Sequence, residues 1–275
     1  MTITCLMSTY IKDNQEFLIQ AIESILSQTR LPDEFLIVKD GRLDEKKEDI
    51  LSKYEKEHDF IHVIGYEENK GLGYALAYGV SHATGEVIAR MDSDDISDEN
   101  RLRIEEEYLL AHPEIRLLGS NTNEFMDNIN NTISQRNMPE NNDDIIAYSK
   151  KRNPFIHPSI CFYKEDALKV GNYESWYLCE DYDLWAKLLK SGVKAYNIQQ
   201  NLVHMRISND FYKRRGGVKY CHNILKFKRH LRKTKYITHL QYIKTATPSL
   251  VSSLMPNFAR EFLYKKLLRS KKKNG

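Results

Sequence analysis

Three carboxylates occur within four residues of one another, directly after an apolar run. Asp92, Asp94 and Asp95 follow residues 85–91, and that run has the composition of a buried strand. Like charges a few ångströms apart disfavour joint ionisation, and a divalent cation that prefers oxygen ligands reverses this penalty while leaving positions open for phosphate oxygens. A solvated acidic turn that caps a helix beginning near Arg101 is the alternative. The segment by itself is compatible with both interpretations.

A second acidic pair, Glu180 and Asp181, precedes a segment whose apolar residues have helical spacing. Carboxylates are favoured at a helix N-terminus because the helix dipole places positive potential there. Helix capping is therefore one interpretation of this pair, and a catalytic role, which depends on a family resemblance described below, is the other.

The segments that must position these carboxylates alternate between strand and helix. Strands are predicted by apolar runs at 3–7, 35–38, 61–65 and 87–91, and helices by the stretches 14–28, 44–57 and about 72–83. This alternation is typical of an α/β fold with a doubly wound, right-handed and mostly parallel sheet, whose ligands bind beyond the carboxyl ends of the strands. Because residues 8–10, 39–41 and 92–95 follow three of the strands, we expect them to meet at one edge.

The second half of the chain is less regular. Helices are predicted at 101–112, 164–170 and 182–191, and a strand at 115–119. The Asn-rich stretch 121–144 has no clear period and predicts an irregular excursion.

Composition indicates one large α/β domain, or such a domain with an appended subdomain: 275 residues, of which 41% are hydrophobic and 29% charged. The four cysteines lie far apart without a CxxC pair, which favours a reducing compartment. No basic-then-apolar leader precedes the first strand, and no run approaches the roughly 18 apolar residues that span a bilayer. We therefore expect a soluble or peripheral protein.

Charge is divided unevenly along the chain. From Arg206 onward there are 19 Lys and Arg residues against only Asp210 and Glu261, whereas residues 1–205 carry a balance of −14. Such a basic segment suits phosphate groups, either of nucleic acid or of anionic lipid. Aromatic and aliphatic residues interleave with Lys and Arg over 258–269, a pattern suited to a membrane interface. An ordinary packing helix followed by a lysine-rich tail is the alternative.

Seven short segments, taken in their order and spacing, resemble the inverting family 2 glycosyltransferases with the GT-A fold. These segments are 8–10 (STY), 21–29 (AIESILSQT), 38–41 (VKDG), 69–71 (NKG), 83–86 (ATGE), 90–95 (RMDSDD) and 180–185 (EDYDLW). The resemblance implies a catalytic domain over 1–206, with a nucleotide-binding half at about 1–100 and an acceptor half at about 101–206. A basic, partly amphipathic helical region would follow at 207–275.

The resemblance assigns donor-binding roles to residues at the strand ends. By position, Asp40 would contact the nucleobase, usually uracil, while Thr9 and Tyr10 would line the nucleoside and Lys70 would approach the base or the phosphates. Lys39 replaces the first Asp of the family's usual pair, which leaves the nucleotide preference open.

The segment 90–95 matches the family's DxD motif. The resemblance implies that Asp94 ligates Mn²⁺ or Mg²⁺ and that Asp92 faces the ribose or donor sugar and adds to the metal site, with Arg90 among the donor-binding residues. His204 and Arg206 could add a metal or pyrophosphate contact, although a lone His is more often structural.

On the acceptor side, Asp181 matches the family's general base, with Glu180 as its neighbour near the acceptor. Segments 157–159, 203–208 and 212–217 are similar to bacterial enzymes that build O-antigen or exopolysaccharide on a polyprenyl diphosphate carrier. The implied reaction moves a hexose or N-acetylhexosamine from a nucleotide diphosphate sugar, UDP-linked, to such a lipid-linked acceptor. The enzyme would then work in the cytoplasm, peripherally on the inner face of the plasma membrane, with its basic C-terminal region against anionic lipid.

Two other classes of protein compete with this interpretation. A nucleic-acid-binding protein could use the basic segment to contact phosphates, but an acidic cleft and the absence of a basic-aromatic motif argue against it. A sugar nucleotidyltransferase would need a Gly-rich phosphate loop directly after the first strand, and residues 8–13 contain no glycine. We therefore expect no nucleic-acid partner.

Overall fold

The computed structural model describes residues 1–207 and 216–256. The strands within these ranges are β1 (Ile3–Thr9), β2 (Glu34–Asp40), β3 (Ile61–Tyr66), β4 (Val87–Asp92), β5 (Ile96–Ser97), β6 (Ile115–Phe125), β7 (Ser134–Arg136), β8 (Cys161–Tyr163) and β9 (Lys194–Arg206). The helices are α1 (Gln15–Leu26), α2 (Glu45–Glu57), α3 (Leu72–His82), α4 (Arg101–Ala111), α5 (Asn142–Ser149), α6 (Lys164–Lys169), α7 (Glu180–Lys190), α8 (Gly217–Lys233) and α9 (His239–Leu254).

These strands form a single sheet in the order β3-β2-β1-β4-β8-β6-β9-β5, with β7 paired to β6. The first four strands are parallel, as the alternation of strand and helix predicts, and their register aligns Thr9 with Lys39 and Ser8 with Asp92. The carboxyl ends of β1, β2 and β4 therefore lie side by side, and the polar residues that follow them share one edge.

Beyond β4 the sheet is mixed. Strand β8 runs antiparallel to both β4 and β6, and β5 runs antiparallel to β9, while β6 and β9 are parallel. Periodicity within a segment reports burial and says nothing of strand direction, so the sequence pattern describes the parallel half better than the mixed half.

The Asn-rich stretch 121–144 is more regular than the sequence predicts. Strand β6 extends to Phe125, β7 pairs back onto it as a hairpin, and α5 begins at Asn142. Two buried polar side chains of this stretch have partners: Asn121 Oδ1 accepts from the Met138 backbone N–H at 2.8 Å, and the Thr122 hydroxyl donates to the Val203 carbonyl. The prediction of an irregular excursion was wrong for these elements because cross-strand hydrogen bonds, rather than an apolar period, hold them.

Helices cover both faces of the sheet. On one face, α1 begins at an Asn14 side chain that accepts from two backbone N–H groups, and its apolar stripe packs on Cys5 and Met7 of β1. On the other face, α3 and α7 bury a larger cluster around Trp185. The site-bearing strand ends are thus fixed between two packed layers.

The C-terminal helices belong to the second layer. Phe227 and Leu231 of α8, together with Tyr236 and Ile237 of the following turn, join the Trp185 cluster. Asp183 Oδ1 of α7 lies 3.1 Å from His230 Nε2, and Lys228 donates to the Thr245 carbonyl of α9 at 2.8 Å. A helical C-terminal region is therefore present over 217–254, while the amphipathic stretch 258–269 lies outside the described residues.

All four cysteines are free and buried. Among the helices of the described ranges, none combines the length and apolar character needed to cross a bilayer.

Candidate active site

The acidic turn after β4 concentrates negative charge at the carboxyl edge of the sheet. Carboxylate oxygens of Asp92, Asp94 and Asp95 lie within 4.8 Å of one another. Asp94 is exposed, whereas Asp95 is only 2% exposed. Burial raises the pKa of Asp95 well above its usual value, and the nearby charges of Asp94 and Asp92 raise that pKa further.

Arg206, at the end of β9, holds the acidic turn in place. Its backbone N–H donates to Asp95 Oδ1 at 2.7 Å, and its guanidinium Nε donates to the Asp94 carbonyl at 3.0 Å. The guanidinium also lies over the rings of Phe17 and Phe125, at 3.9 and 4.5 Å from their centroids. The turn is therefore held by α1 and β6 as well as by β9. Arg206 stabilises the turn beside the carboxylates, and its contact with a metal or a pyrophosphate stays a prediction.

Asp13 is a fourth acidic residue at this edge, which the sequence pattern did not single out. It accepts from the Ser93 hydroxyl at 2.7 Å, the Thr9 hydroxyl at 3.0 Å and the Tyr10 backbone N–H at 3.2 Å. Burial raises the pKa of Asp13. Asp13 joins the loop after β1 to the acidic turn. In the sequence it directly precedes the helix cap Asn14, where an Asp is an ordinary turn residue, so its type and position did not indicate a role at the site.

Thr9 and Tyr10, predicted to line the nucleoside, differ in their availability to a ligand. Thr9 is 1% exposed and its hydroxyl is engaged by Asp13, so it shapes the loop. Tyr10 is 38% exposed on the same loop. Of the two, the ring of Tyr10 is the one that a ligand at this edge can reach.

The acidic turn fits a divalent cation. Hard cations such as Mg²⁺ and Mn²⁺ select carboxylate oxygens, and three carboxylates converge here. In addition, the buried carboxylate of Asp95 sits beside two further negative charges, an arrangement that a bound cation stabilises.

His204, predicted as a further metal ligand, does not join this group of carboxylates. It pairs with Ile96 across β9 and β5, and Asp98 is the charged neighbour that affects its ring. Burial lowers the pKa of His204, and within the described chain its buried Nδ1 has no hydrogen-bond partner. The strand register places His204 beside β5, and its assignment as a metal ligand stays a prediction.

Asp40, at the end of β2, is surrounded by donors from its own chain. Its carboxylate accepts from the Tyr66 hydroxyl at 2.9 Å, the Asn69 amide at 2.9 Å, and the backbone N–H groups of Lys70 and Gly71 at 2.8 and 3.0 Å. A carboxylate offers about four acceptor positions, and four donors occupy them. The predicted contact with a nucleobase would have to displace one of these donors, and in this structure Asp40 organises the loop 69–71.

A cleft of about 210 Å³ opens beside that loop, at the ends of β2 and β3. It is lined by Lys39, Gly41, Arg42, Glu48, Val63, Gly65, Tyr66 and Glu67. The ammonium of Lys39 pairs with Glu48 at 2.9 Å, and that of Lys70 lies 4.5 Å from the centroid of the Tyr74 ring. Lys39 therefore lines the cleft, and Lys70 lies on the loop beside it.

The acceptor-side pair opens α7. Asp181 is half-buried, and its carboxylate accepts from the Asn153 amide at 2.5 Å and from the Tyr182 backbone N–H at 2.7 Å. Both donors, and the helix N-terminus, interact favourably with a negative carboxylate. Glu180 is 7% exposed, and burial, then the charge of Asp181, raises its pKa to about 7. Asp181 is thus the member of the pair that a substrate can reach.

Arg90 is buried close to both the acidic turn and Glu180. It is 1% exposed and donates from Nη2 to Asp92, while its Nε and Nη1 have no hydrogen-bond partner within the described ranges. Its charge lowers the pKa of Glu180 and that of the buried His157, although burial is the largest influence on each. A side chain so deeply buried supports Asp92 through a hydrogen bond and Glu180 through its charge. The contact of Arg90 with the donor stays a prediction.

Sequence comparison identifies close relatives of the chain. The family model described as "Glycosyl transferase family 2" matches residues 4–171. The UDP-Gal:alpha-D-GlcNAc-diphosphoundecaprenol beta-1,3-galactosyltransferase of Escherichia coli is 35% identical over 266 residues, which cover 96% of this chain and 95% of that protein.

Two solved structures share the fold. S. aureus TarS 1–349 in complex with UDP-GlcNAc superposes with a TM-score of 0.67 at 13% identity, covering 97% of this chain and 76% of that one. Mannosyltransferase PcManGT from Pyrobaculum calidifontis, in complex with GDP-Man and Mn²⁺, superposes with a TM-score of 0.63 at 13% identity, covering 96% and 79%. The α/β sheet with its helical extension is therefore the expected GT-A fold.

Proposed function

Because the chain belongs to glycosyl transferase family 2, we propose that it moves a hexose or N-acetylhexosamine from a UDP-linked sugar to a lipid-linked glycan, inverting the anomeric carbon. The observation that supports this proposal is that Arg90 donates a hydrogen bond to Asp92 of the acidic turn and lies close enough to Glu180 for its charge to lower the pKa of that residue. The E. coli relative, by its name, uses UDP-Gal and a diphosphoundecaprenol-linked GlcNAc.

The donor diphosphate would be held at the acidic turn. Asp94 and Asp92, with Asp95 behind them, are the residues that would hold Mn²⁺ or Mg²⁺ there. A divalent cation bound at such a site stabilises the negative charge that builds on a departing diphosphate. Arg206 and Asp13 already hold the turn in shape, so little reorganisation accompanies donor binding.

Nucleoside recognition would fall to the loops beside the turn. The exposed ring of Tyr10 and the ammonium of Lys70 border the ends of β1 and β2. Thr9 and Asp40 act in this proposal by shaping those loops, since their side chains are engaged with Asp13 and with residues 69–71.

The acceptor hydroxyl would be activated by Asp181. Its carboxylate takes the hydroxyl proton, the oxygen attacks the anomeric carbon from the face opposite the diphosphate, and the sugar–phosphate bond breaks with its electron pair on the diphosphate. An α-linked donor therefore gives a β-linked product. A positioned base of this kind contributes on the order of 10² to 10⁴ in rate. Glu180, whose raised pKa of about 7 leaves it partly protonated near neutral pH, carries less negative charge beside the base than an ordinary glutamate would.

A lipid-linked acceptor would bring the protein to the cytoplasmic face of a membrane, as a peripheral protein. The basic balance of the chain after Arg206 is consistent with anionic headgroups, since each Lys or Arg near such a surface is worth about 1 kcal/mol. We place the protein in the synthesis of a bacterial surface polysaccharide.

A donor and acceptor screen tests this function. UDP-glucose, UDP-galactose, UDP-N-acetyl sugars, GDP-sugars and dTDP-sugars are incubated with Mn²⁺ and a GlcNAc-diphospholipid, and product linkage is read by NMR. We expect one UDP-sugar to give a β-linked product that Asp94→Ala or a chelator abolishes. The matched control Glu99→Gln alters an exposed acid outside the cluster and should retain activity. Failure of every donor, or an α-linked product, would contradict the proposal.

A further inference from the structure

Helix α9 carries an uncovered apolar stripe. Leu240, Ile243, Leu250, Val251 and Leu254 are each at least 40% exposed, and their spacing places them on one face of the helix. The opposite face is packed, with Ala246 and Ser253 buried. Scattered exposed apolar residues are ordinary, but a continuous stripe along four turns of one helix indicates a surface that is covered in use.

The charges around this stripe have one sign. Residues 216–256 include eight Lys and Arg residues and no Asp or Glu. Six of the eight are exposed: Lys219, Lys226, Arg229, Lys233, Lys235 and Lys244. Lys244 follows Ile243 directly, so a cation stands at the border of the apolar face. Apolar residues flanked by cations favour a partner that is both apolar and negatively charged.

A second copy of the chain is a poor partner for this face. Two identical α8–α9 surfaces would bring twelve exposed cations together, and residues 216–256 supply no carboxylate to pair with them. An anionic bilayer offers acyl chains to the stripe and headgroups to the lysines.

We propose that α9 docks on the surface of an anionic membrane through its apolar stripe, with the exposed cations of α8 and α9 on the headgroups. The proposal deepens the proposed function, on which it rests, because it names the surface that would bring the enzyme to a lipid-linked acceptor. The proposal assigns membrane docking to α9, a helix that packs on the domain, in addition to the stretch 258–269 that the sequence pattern indicated.

The start of α8 contacts the loop that leads to the proposed base. Helix α9 returns along α8, so its C-terminal end lies beside the start of α8. There, Lys219 is 5.7 Å from the centroid of the Tyr177 ring. Tyr177 and Leu178 are themselves 51% and 40% exposed, and Asp181 follows Leu178 by three residues. Docking through α9 would thus hold the acceptor side of the site close to the lipid surface.

Vesicle co-sedimentation of the full chain tests the stripe. The variant changes Ile243, Leu250, Val251 and Leu254 to Gln, and the matched control changes Leu31, Leu110 and Leu168, which are exposed elsewhere, to Gln. We expect wild type and control to bind phosphatidylglycerol vesicles, and the stripe variant to bind about tenfold more weakly or less. Circular dichroism should show equal folding for all three. Stripe-variant binding equal to wild type would overturn the proposal.

A second measurement separates docking from chemistry. With a water-soluble acceptor the stripe variant should turn over at the wild-type rate, and with an acceptor embedded in phosphatidylglycerol vesicles its rate should fall about tenfold. If no protein transfers sugar to either acceptor, the proposed function fails while the vesicle binding still decides the docking. If the stripe substitutions instead break a dimer, seen by sedimentation velocity, without weakening vesicle binding, the face belongs to a second copy and the proposal is wrong.

Discussion

Two buried aspartates at the same edge of the sheet, on strands separated by β1, have opposite surroundings. Asp40, at the end of β2, accepts hydrogen bonds from four donors of its own chain. Asp95, after β4, accepts one from the Arg206 backbone and lies against Asp92 and Asp94, whose charges add to burial in raising its pKa. Their exposures are almost equal, at 6% and 2%. Burial therefore does not distinguish the two, whereas the balance of donors against charge does.

The comparison indicates which carboxylates serve the fold and which can serve a ligand. A carboxylate saturated by its own chain stabilises a loop, and removing it leaves buried donors without partners. A carboxylate whose charge is unbalanced gains most from a cation or a proton. Asp181 lies between these two kinds of carboxylate, because two donors orient it and yet it is partly exposed.

We expect the largest effect when the charge of Asp181 is removed. Asp181→Asn keeps the shape of the side chain and removes the base, so kcat for sugar transfer should fall by about 10³-fold. The affinity for UDP, measured by calorimetry, should stay within about twofold, because the residue lies on the acceptor side. A variant with kcat near wild type would show that another group accepts the proton.

Asp40→Ala tests the saturated case. Loss of this carboxylate leaves the Tyr66 hydroxyl, the Asn69 amide and two backbone N–H groups without their acceptor, so the free energy of unfolding should fall by about 4 kcal/mol. Urea denaturation measures this change. If stability is unchanged while the affinity for UDP is lost, Asp40 contacts the base, as the sequence resemblance predicts. Asp40 would then bind the ligand and would not serve mainly to stabilise the loop 69–71.

Glu180→Gln tests a buried carboxyl whose pKa is raised to about 7. Between its usual pKa near 4.5 and pH 7 the folded state binds more protons than the unfolded state, so the free energy of unfolding falls as pH rises through this window. Gln mimics the protonated form. The variant should match wild type near pH 4 and exceed it above pH 7 by up to about 3 kcal/mol. Equal stability of the two proteins at pH 8 would show that Arg90 balances the charge fully.

His204→Ala should have the smallest effect. The ring lies outside the group of three carboxylates, so Mn²⁺ affinity should change by less than about twofold. A tenfold loss of affinity, measured by calorimetry, would restore His204 to the coordination that the sequence resemblance implies.

The parallel half of the fold and its strand ends were accessible from sequence because the signals are local. An apolar run followed by polar residues at 92–95, or at 39–41, marks where a strand stops, and parallel neighbours bring such stops together. The family resemblance then adds roles to these positions, which the strand pattern alone does not contain.

The remaining features depend on contacts between distant residues. Asp13 joins Thr9 to Ser93, and Arg206 reaches the acidic turn from 111 residues away in sequence. Neither side chain has a local pattern that differs from an ordinary turn or strand residue. The regular structure within 121–144 was missed for the same reason, because its polar side chains are buried by cross-strand partners.

In our proposal the three carboxylates clustered after β4 hold the cation that binds the donor diphosphate. Calorimetric titration of Mn²⁺ in the presence of UDP tests it most directly, with wild type, Asp94→Ala and the control Glu99→Gln side by side. We predict that wild type and Glu99→Gln bind one Mn²⁺ with equal affinity and that Asp94→Ala loses this binding with little change in Tm, because Asp94 is exposed. Mn²⁺ binding by Asp94→Ala with wild-type affinity would show that the carboxylates after β4 do not hold the cation.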